Sequence, residues 1–578
     1  MGVQAILSLR GFWGRGREKS LLLASVLFAV AVVLPVIGLV AIAAQGSGDA
    51  WPHLLAYVLP KTVADTLVLL LGVGLVVIAL GTSLAWLLTA YDFPGRRLFE
   101  WALLLPLAVP TYIVAYAYLD LLHPIGPVQG ALRMVLGISN PRDLWFPDVR
   151  SMGGCILLLS FVLYPYVFIP TRALFLMQAG SLIEVARTLG ADRRRVFFHV
   201  ALPLARPAIA VGASLALMEA LNDIGASEFL GVRTLSVSIY ATWINRSNLP
   251  GAAQIALALM VLVVSLILIE RWARRRQRYV SQAQRARRAR PRQLSGWKAA
   301  GAFVYASLPV LFGFAFPAFY LAVEALRRLR FAGVPADLGA QILNTVVMSA
   351  IATFVALVIG FVLAYATRLT RAPAASVALR VASLGYAVPG TVLAIGLLLP
   401  LFALDNLLAD GIEAVFGVSV GLLISGSGAA LIYAYVVRFL TISAGGVESG
   451  FSKLSPSLDH AARALGETAM GAMRRVHLPL LRPALGAAAL LVFVDCMKEL
   501  PATLLLRPLN FETLATHLYG EAVRGTYEDG SIAALCIVLV GLAPVMLLAR
   551  LSRRPALAYE KGGSVVGAGL LLEEQAKS

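Results

Sequence analysis

The sequence predicts an all-α polytopic membrane protein, with about twelve transmembrane helices in two parallel six-helix repeats. Three observations predict it. Of 578 residues, 59% are hydrophobic and 14% charged, and the mean hydropathy is +0.81; a soluble domain carries about 25% charged residues. The apolar residues fall in long runs such as LLLASVLFAVAVVLPVIGLVAIAA at 21–44, and about 20 such residues cross a bilayer as a helix. The chain also repeats itself: EVARTLGADRRRVFFHVALP at 184–203 returns as HAARALGETAMGAMRRVHLP at 460–479, 276 residues later.

Twelve spans are expected near 21–44, 65–90, 99–122, 152–178, 204–223, 252–270, 299–325, 342–367, 375–403, 418–441, 480–499 and 531–549. The first is too long for a signal-peptide core and reads as a retained span. Lys and Arg favour the cytoplasmic side. Arg10, Arg15, Arg17 and Lys19 therefore place the N-terminus inside. Counting spans then places inside the loop with Arg96 and Arg97, the loop with Arg187 and Arg193–Arg195, and the tail with Arg550, Arg553 and Arg554. Arg327, Arg328 and Arg330 disagree, because they fall outside.

The net charge of +18 comes from these loops rather than from a nucleic-acid module. Cys155, Cys496 and Cys536 are scattered and odd in number, and the six histidines include no HxxxH pair, so neither a disulfide framework nor a metal spacing is present. The stretch 271–298 holds ten Arg and one Lys without apolar periodicity and reads as a basic cytoplasmic linker that favours anionic headgroups. The expected organisation is a first half at 1–270, this linker, a second half at 299–555 and a cytoplasmic tail at 556–578.

The repeat extends beyond the opening stretch. Asp65-Thr66 corresponds to Asn344-Thr345, Gly81 to Gly360, and Ala-Val-Pro at 108–110 to Ala-Val-Pro at 387–389, all 279 residues apart. Six spans per half is an even number, so both halves enter the membrane the same way, about a pseudo-two-fold axis along the membrane normal. Both copies of the twenty-residue stretch then face the cytoplasm, where they suit a symmetric pair of partners.

The twenty-residue stretch resembles the EAA loop of bacterial ABC importer permeases: Glu-Ala-Ala, three residues, Gly, nine residues, an aliphatic, any residue, Leu-Pro. The first copy supplies Glu184, Ala186, Gly190, Val200, Leu202 and Pro203. The second supplies Ala461, Ala462, Gly466, Val476, Leu478 and Pro479, with His460 where the family has Glu. The resemblance implies a type I ABC importer permease fold in the bacterial inner membrane, with both termini cytoplasmic. It also implies that each loop forms a short helix seated in a groove of a separate ATPase subunit. Val196, Phe197, Val200, Ala472, Met473 and Val476 are candidates to fill that groove. Gly permits a sharp turn there, and Pro begins the next span without losing a needed N–H. ATP and Mg belong on the two partner subunits, and this chain needs no cofactor: Walker A requires Gly-Lys, and no Gly-Lys occurs. The chain is thus expected to be a transport subunit and not an enzyme.

Two further stretches, LNDIGASEFLGVRTLSVSIYATWI at 221–244 and DCMKELPATLLLRPLNFETLATHLYGEA at 495–522, are similar to ferric-iron importer permeases with two fused halves. That resemblance implies a periplasmic ferric-binding protein docking outside. The residues also speak for themselves. Glu219 and Asp223 are four apart, as are Asp495 and Glu499, and the pairs correspond at offset 276; four-residue spacing places each pair on one helix face. Each pair is followed by a helix breaker, Gly225 or Pro501, and broken helices at membrane depth line cavities. Four acids facing lipid would cost roughly 10 kcal/mol or more at ~2.5–3.5 kcal/mol each. They must be hydrated, protonated or paired. A carboxylate ring suits a hard trivalent cation, so Glu219, Asp223, Asp495 and Glu499 are candidates for a transient Fe3+ passage rather than a tight metal site, and Asn222 is a weaker candidate for the translocation pathway. The alternative is that they pair with Lys498 or form gate hydrogen bonds. Glu228 is a weaker candidate, expected in a solvated outer loop.

Other readings also fit the sequence. Thiamine or phosphonate permeases share the fused layout. An ion-coupled secondary transporter can have twelve spans and parallel halves, but has no use for twin loops of this kind. A membrane enzyme finds no nucleophile–base pair or HExxH in the sequence.

Overall fold

The computed structural model describes residues 2–178, 189–274, 291–370 and 372–547. Most of the linker and the whole C-terminal tail, with Arg550, Arg553 and Arg554, lie outside them. Among the described residues ten helices are long and apolar enough to cross a membrane, or up to twelve if each of two bent helix pairs is one span. The first half runs α1 (Gly2–Ala44), α2 (Ala50–Ala90), α3 (Arg96–Ala102), α4 (Thr111–Leu121), α5 (Pro127–Leu136), α6 (Met152–Leu163), α7 (Pro165–Gln178), α8 (Val196–Asn222), α9 (Gly225–Phe229), α10 (Leu235–Tyr240) and α11 (Leu249–Arg274). The second half runs α12 (Gly296–Ala332), α13 (Leu338–Thr370), α14 (Pro373–Ala382), α15 (Gly390–Phe416), α16 (Ala429–Ser452), α17 (Pro456–Ala464), α18 (Met470–Met497), α19 (Pro501–Leu506), α20 (Leu514–Arg524) and α21 (Tyr527–Leu547). Among the described residues the strands are two short ones, β1 (Tyr91–Asp92) and β2 (Arg292–Gln293), which pair in parallel and dock the end of the linker onto the first half.

The repeated letters mark repeated contacts. Gly81 and Gly360 lie where α2 crosses α7 and where α13 crosses α16. A Cβ would come within 3.0 Å of the Phe168 nitrogen at Gly81, and within 2.8 Å of the Ala444 nitrogen at Gly360. Small residues let membrane helices approach this closely. Thr66 and Thr345 each accept a backbone N–H from the first turn of a short helix, Leu235 at 3.0 Å and Leu514 at 2.9 Å. These donors have no intrahelical partner, so the same Thr satisfies the same orphan group in each half.

The halves are interwoven. α1 packs on α13, α14 and α15 of the second half, while α12 packs on α3, α4 and α6 of the first. Ala252, Ile255 and Leu259 of α11 belong to the second half's core, and Ile532, Ile537 and Val538 of α21 to the first half's. Two hydroxyls tie the exchanged spans down: Tyr433 donates to the Ala31 carbonyl at 2.5 Å and Tyr118 to the Phe312 carbonyl at 2.8 Å.

The spans expected at 99–122, 375–403 and 418–441 need correction, and the one at 152–178 bends by 41° between α6 and α7. The spans expected unbroken at 99–122 and 375–403 are interrupted at Ala-Val-Pro; in the first half the chain bends by 88° there. The span expected at 418–441 is α16, at Ala429–Ser452. Residues 418–428 form a turn instead, because Asp405, 1% exposed on α15, accepts the N–H groups of Leu423, Ile424 and Ser425 at 3.0, 2.7 and 2.8 Å. Two of the three arginines that broke the charge rule are paired: Arg327 with Glu324 at 2.8 Å and Arg328 with Asp529 at 2.6 Å.

Candidate functional site

The residue before a proline is pushed towards extended geometry. Val109 (φ −109°, ψ 117°) and Val388 (φ −79°, ψ 119°) obey, and helices restart at Thr111 and Gly390. α8 and α18 break as well, at Asn222 and Met497, and short helices resume at Gly225 and Pro501. Three of the four breaks line one cavity of about 100 Å³ between the halves, and the fourth reaches it through Tyr386, next to its Ala-Val-Pro. Non-helical backbone at this depth is tolerated where it lines a cavity or is buried in protein.

Glu219, Asn222, Asp223, Asp495 and Glu499 all line this cavity. The helix-face argument that grouped them is corrected. α8 ends at Asn222, and Asp223 is extended (φ −73°, ψ 120°); Glu499 lies two residues past the end of α18. The reason is capping. Asp223 accepts the Ser227 N–H at 3.0 Å and the Thr111 hydroxyl. Glu499 accepts the N–H groups of Ala502 and Thr503 at 2.9 and 3.0 Å and the Thr503 hydroxyl at 2.7 Å. A carboxylate is stabilised by the free N–H groups at a helix start, so each long helix stops before its second acid.

The acids do not form an open ring. Lys498 Nζ pairs with Asp495 at 2.8 Å and Arg438 Nη1 with Glu499 at 3.1 Å. Arg438 Nη1 also donates to Asn222 Oδ1 at 3.0 Å, and Gly390 N–H to the same oxygen at 2.7 Å. Tyr386 donates to Glu219 at 2.6 Å, and Tyr112 to the Lys498 carbonyl at 3.3 Å. The last four bonds join one half to the other. Two cations thus stand against four carboxylates. Among the described residues no group of three or more His, Cys, Asp or Glu is placed to hold a metal ion.

Arg438 was missed by sequence reasoning. With a span at 418–441 it would sit near an end, where arginine is ordinary; in α16 it is ten residues in and 7% exposed. The available signal was an isolated charge inside YAYVVRFLTI. Glu228, expected in a solvated loop, is half-buried and bonded to Tyr519 of the other half.

The described parts of the repeated stretches, from Leu189 and from His460, run into α8 and α18. Glu184 and Ala186 lie outside the described residues. Gly190 and Gly466 share φ +81°, a left-handed conformation that glycine adopts without penalty. A π-helical turn follows in each copy, Val196–Ala201 and Met473–His477, just before Leu202-Pro203 and Leu478-Pro479. Proline removes one N–H and its ring crowds the carbonyl four residues back, and the wider turn relieves both. Val196 (2% exposed) and Ala472 (7%) turn into this chain, and Phe197 packs on Trp86 at 5.2 Å. They are therefore not a free surface. Val200, Met473 and Val476 are half-buried and Ala462 is buried, whereas His460 and Ala461 are exposed. Among the described residues of the two stretches, the exposed large apolar side chains are Leu189, Phe198, Leu465, Met470 and Leu478. The second loop is clamped: Asp459 accepts Arg368 Nη2 at 2.8 Å and lies 2.5 Å from His477 Nε2. Burial opposes ionisation of Asp459, but the hydrogen bond from His477 and the Arg368 guanidinium outweigh it and hold the carboxyl below its ordinary range.

Residues 77–279 match the sequence model of the binding-protein-dependent transport system inner membrane component. The molybdenum transport system permease protein ModB of Escherichia coli (strain K12) is 32% identical over 204 residues, 34% of this chain and 84% of that protein. The chain belongs to this permease family. It is the permease subunit of an ABC importer, a polytopic integral membrane protein. Two other relatives span different lengths. The Fe(3+)-transport system permease protein FbpB 2 of Haemophilus influenzae is 25% identical over 491 residues, 84% of this permease and 89% of that protein. The putative 2-aminoethylphosphonate transport system permease protein PhnU of Salmonella paratyphi A is 32% identical over 197 residues, 34% of this permease and 67% of that protein.

Proposed function

We propose that this permease moves ferric iron, handed over by a periplasmic binding protein, across the bacterial inner membrane. Two separate ATPase subunits engage the loops at 184–203 and 460–479 on the cytoplasmic side, where both termini also lie, and ATP and Mg act on those subunits. One observation carries the choice of cargo. The cavity between the halves holds four carboxylates against two cations, and a site with surplus negative charge attracts a cation and repels an oxyanion. The length over which the ferric-type relative matches points the same way. Glu219, Asp223, Asp495 and Glu499, with Asn222, would touch the cargo only in passing, since a tight site blocks conduction.

A second reading is an oxyanion importer. It is favoured by the higher identity of the molybdenum and aminoethylphosphonate relatives over one half and by Arg438 and Lys498 in the cavity. Uptake into proteoliposomes holding the permease, its ATPase subunits and its binding protein separates the two. Labelled ferric ion should accumulate with ATP while labelled molybdate and aminoethylphosphonate do not. Accumulation of either oxyanion in place of iron would reverse the assignment.

A further inference from the structure

We propose that Arg438 is a tethered cation that bars the closed gate and gives way to a cationic cargo. Its position does not need a charge for folding. The corresponding residue in the first half, 276 positions earlier, is Val162, which lines the same cavity. Nor is the guanidinium comfortable: it is 7% exposed, and its Nε has no partner among the described residues. Burying an arginine with donors unmet is unfavourable, and an apolar residue of similar size would serve stability as well or better. Intramembrane arginines of this kind mark the path of transported ions.

The contacts say what the charge does. Nη1 reaches Glu499 of its own half at 3.1 Å and Asn222 of the other half at 3.0 Å. Asn222 is also held by the Gly390 N–H at 2.7 Å. The halves cannot part here until Asn222 lets go of both. Lys498 does not bridge in this way, because it pairs with Asp495 three residues before it. Among the described residues Glu219 and Asp223 carry no basic partner; they are held by Tyr386 and by Thr111 with the Ser227 N–H. A multivalent cation entering beside those two acids repels the guanidinium and competes for Glu499. Arg438 then leaves Asn222, and the first half is freed. A ligand shifts such an equilibrium only through a difference in its interaction with the two states. A cation has that difference here, through repulsion in the closed state. An oxyanion would have the opposite one, being held by Arg438 where it closes the gate. The proposal rests on the ferric reading above and names the residue that enforces it.

The test uses the reconstituted permease with its ATPase subunits and binding protein, and compares Arg438→Gln, Arg438→Lys and Arg438→Gln/Glu499→Gln with the unaltered protein. Ferric ion uptake is measured with and without ATP. Losing a buried charge-assisted bond should raise ATP-independent ferric leak by about tenfold or more in Arg438→Gln. Arg438→Lys, which keeps the charge, should leak far less. The double variant removes the unpaired acid that could misfold the single one, and it should leak as well. If the unaltered permease takes up iron, and Arg438→Gln and the double variant both leak no more than it does, the tethered cation is overturned and the ferric reading stands. If the unaltered permease takes up molybdate in place of iron, and Arg438→Gln abolishes that uptake, both fall.

Discussion

Asp459 precedes the second repeated stretch by one residue and joins three segments. It binds Arg368 at the end of α13 and His477 at the π turn of α18 while standing on α17 itself. The same offsets in the first half give Ile183, Ala201 and Thr89, so those positions cannot build the clamp twice. Asp459→Asn should destabilise the protein by about 1.5–3 kcal/mol, the range of a hydrogen bond to a charged group. The carboxyl is held below its ordinary value of about 3.9. Its contribution is therefore full above that value and is lost as pH falls through the lower, folded-state value. Thermal unfolding in nanodiscs should show a constant gap between the two proteins near neutrality that closes only in acid. A gap that persists at the acid end would mean that the ionised carboxylate is not what holds the loop.

At the level of elements, the repeated letters proved to be contact points. Gly81 and Gly360 set two helix crossings, Thr66 and Thr345 cap two short helices, and Ala-Val-Pro makes the breaks at the cavity. These were legible in the sequence because each depends on a residue type that few others can replace. The start of α16 was not legible. Hydropathy is nearly level from 418 onwards, and the boundary is decided by Asp405, remote in sequence, which gathers three N–H groups. That shift of eleven residues hid Arg438. The acids were found, but the geometry given to them was not, since a four-residue spacing says nothing about where a helix ends. Gly81→Val should push α2 from α7 and cost about 1–3 kcal/mol, as overpacking does. Gly445→Ala, at an open glycine of α16, should be neutral by the same unfolding measurement. Equal losses in the two would remove the crossing argument.

At the scale of the whole molecule, the described residues give six spans to the second half and four to the first, or six if each bent pair is one span, but six spans do not make a self-sufficient body. α1 and α11 complete the second half's core, and α12 and α21 the first half's. Residues 1–274 expressed alone should be degraded or aggregate, and residues 291–578 likewise. Co-expressed from two genes, the pieces should purify together from the membrane, because the contacts that join them are core contacts rather than a thin seam. Two pieces that each yield a monodisperse protein and do not associate would contradict the exchange.

The exchange of outer spans bears on how the chain is made. A ribosome adding about 5–20 residues per second takes roughly 15–60 s to write the second half after the first has entered the bilayer. For that time the first bundle stands unfinished, with its acids uncovered and the places of α12 and α21 open to lipid. The membrane insertion machinery must shelter it until its missing staves arrive. Writing both halves in one chain ensures that they always do.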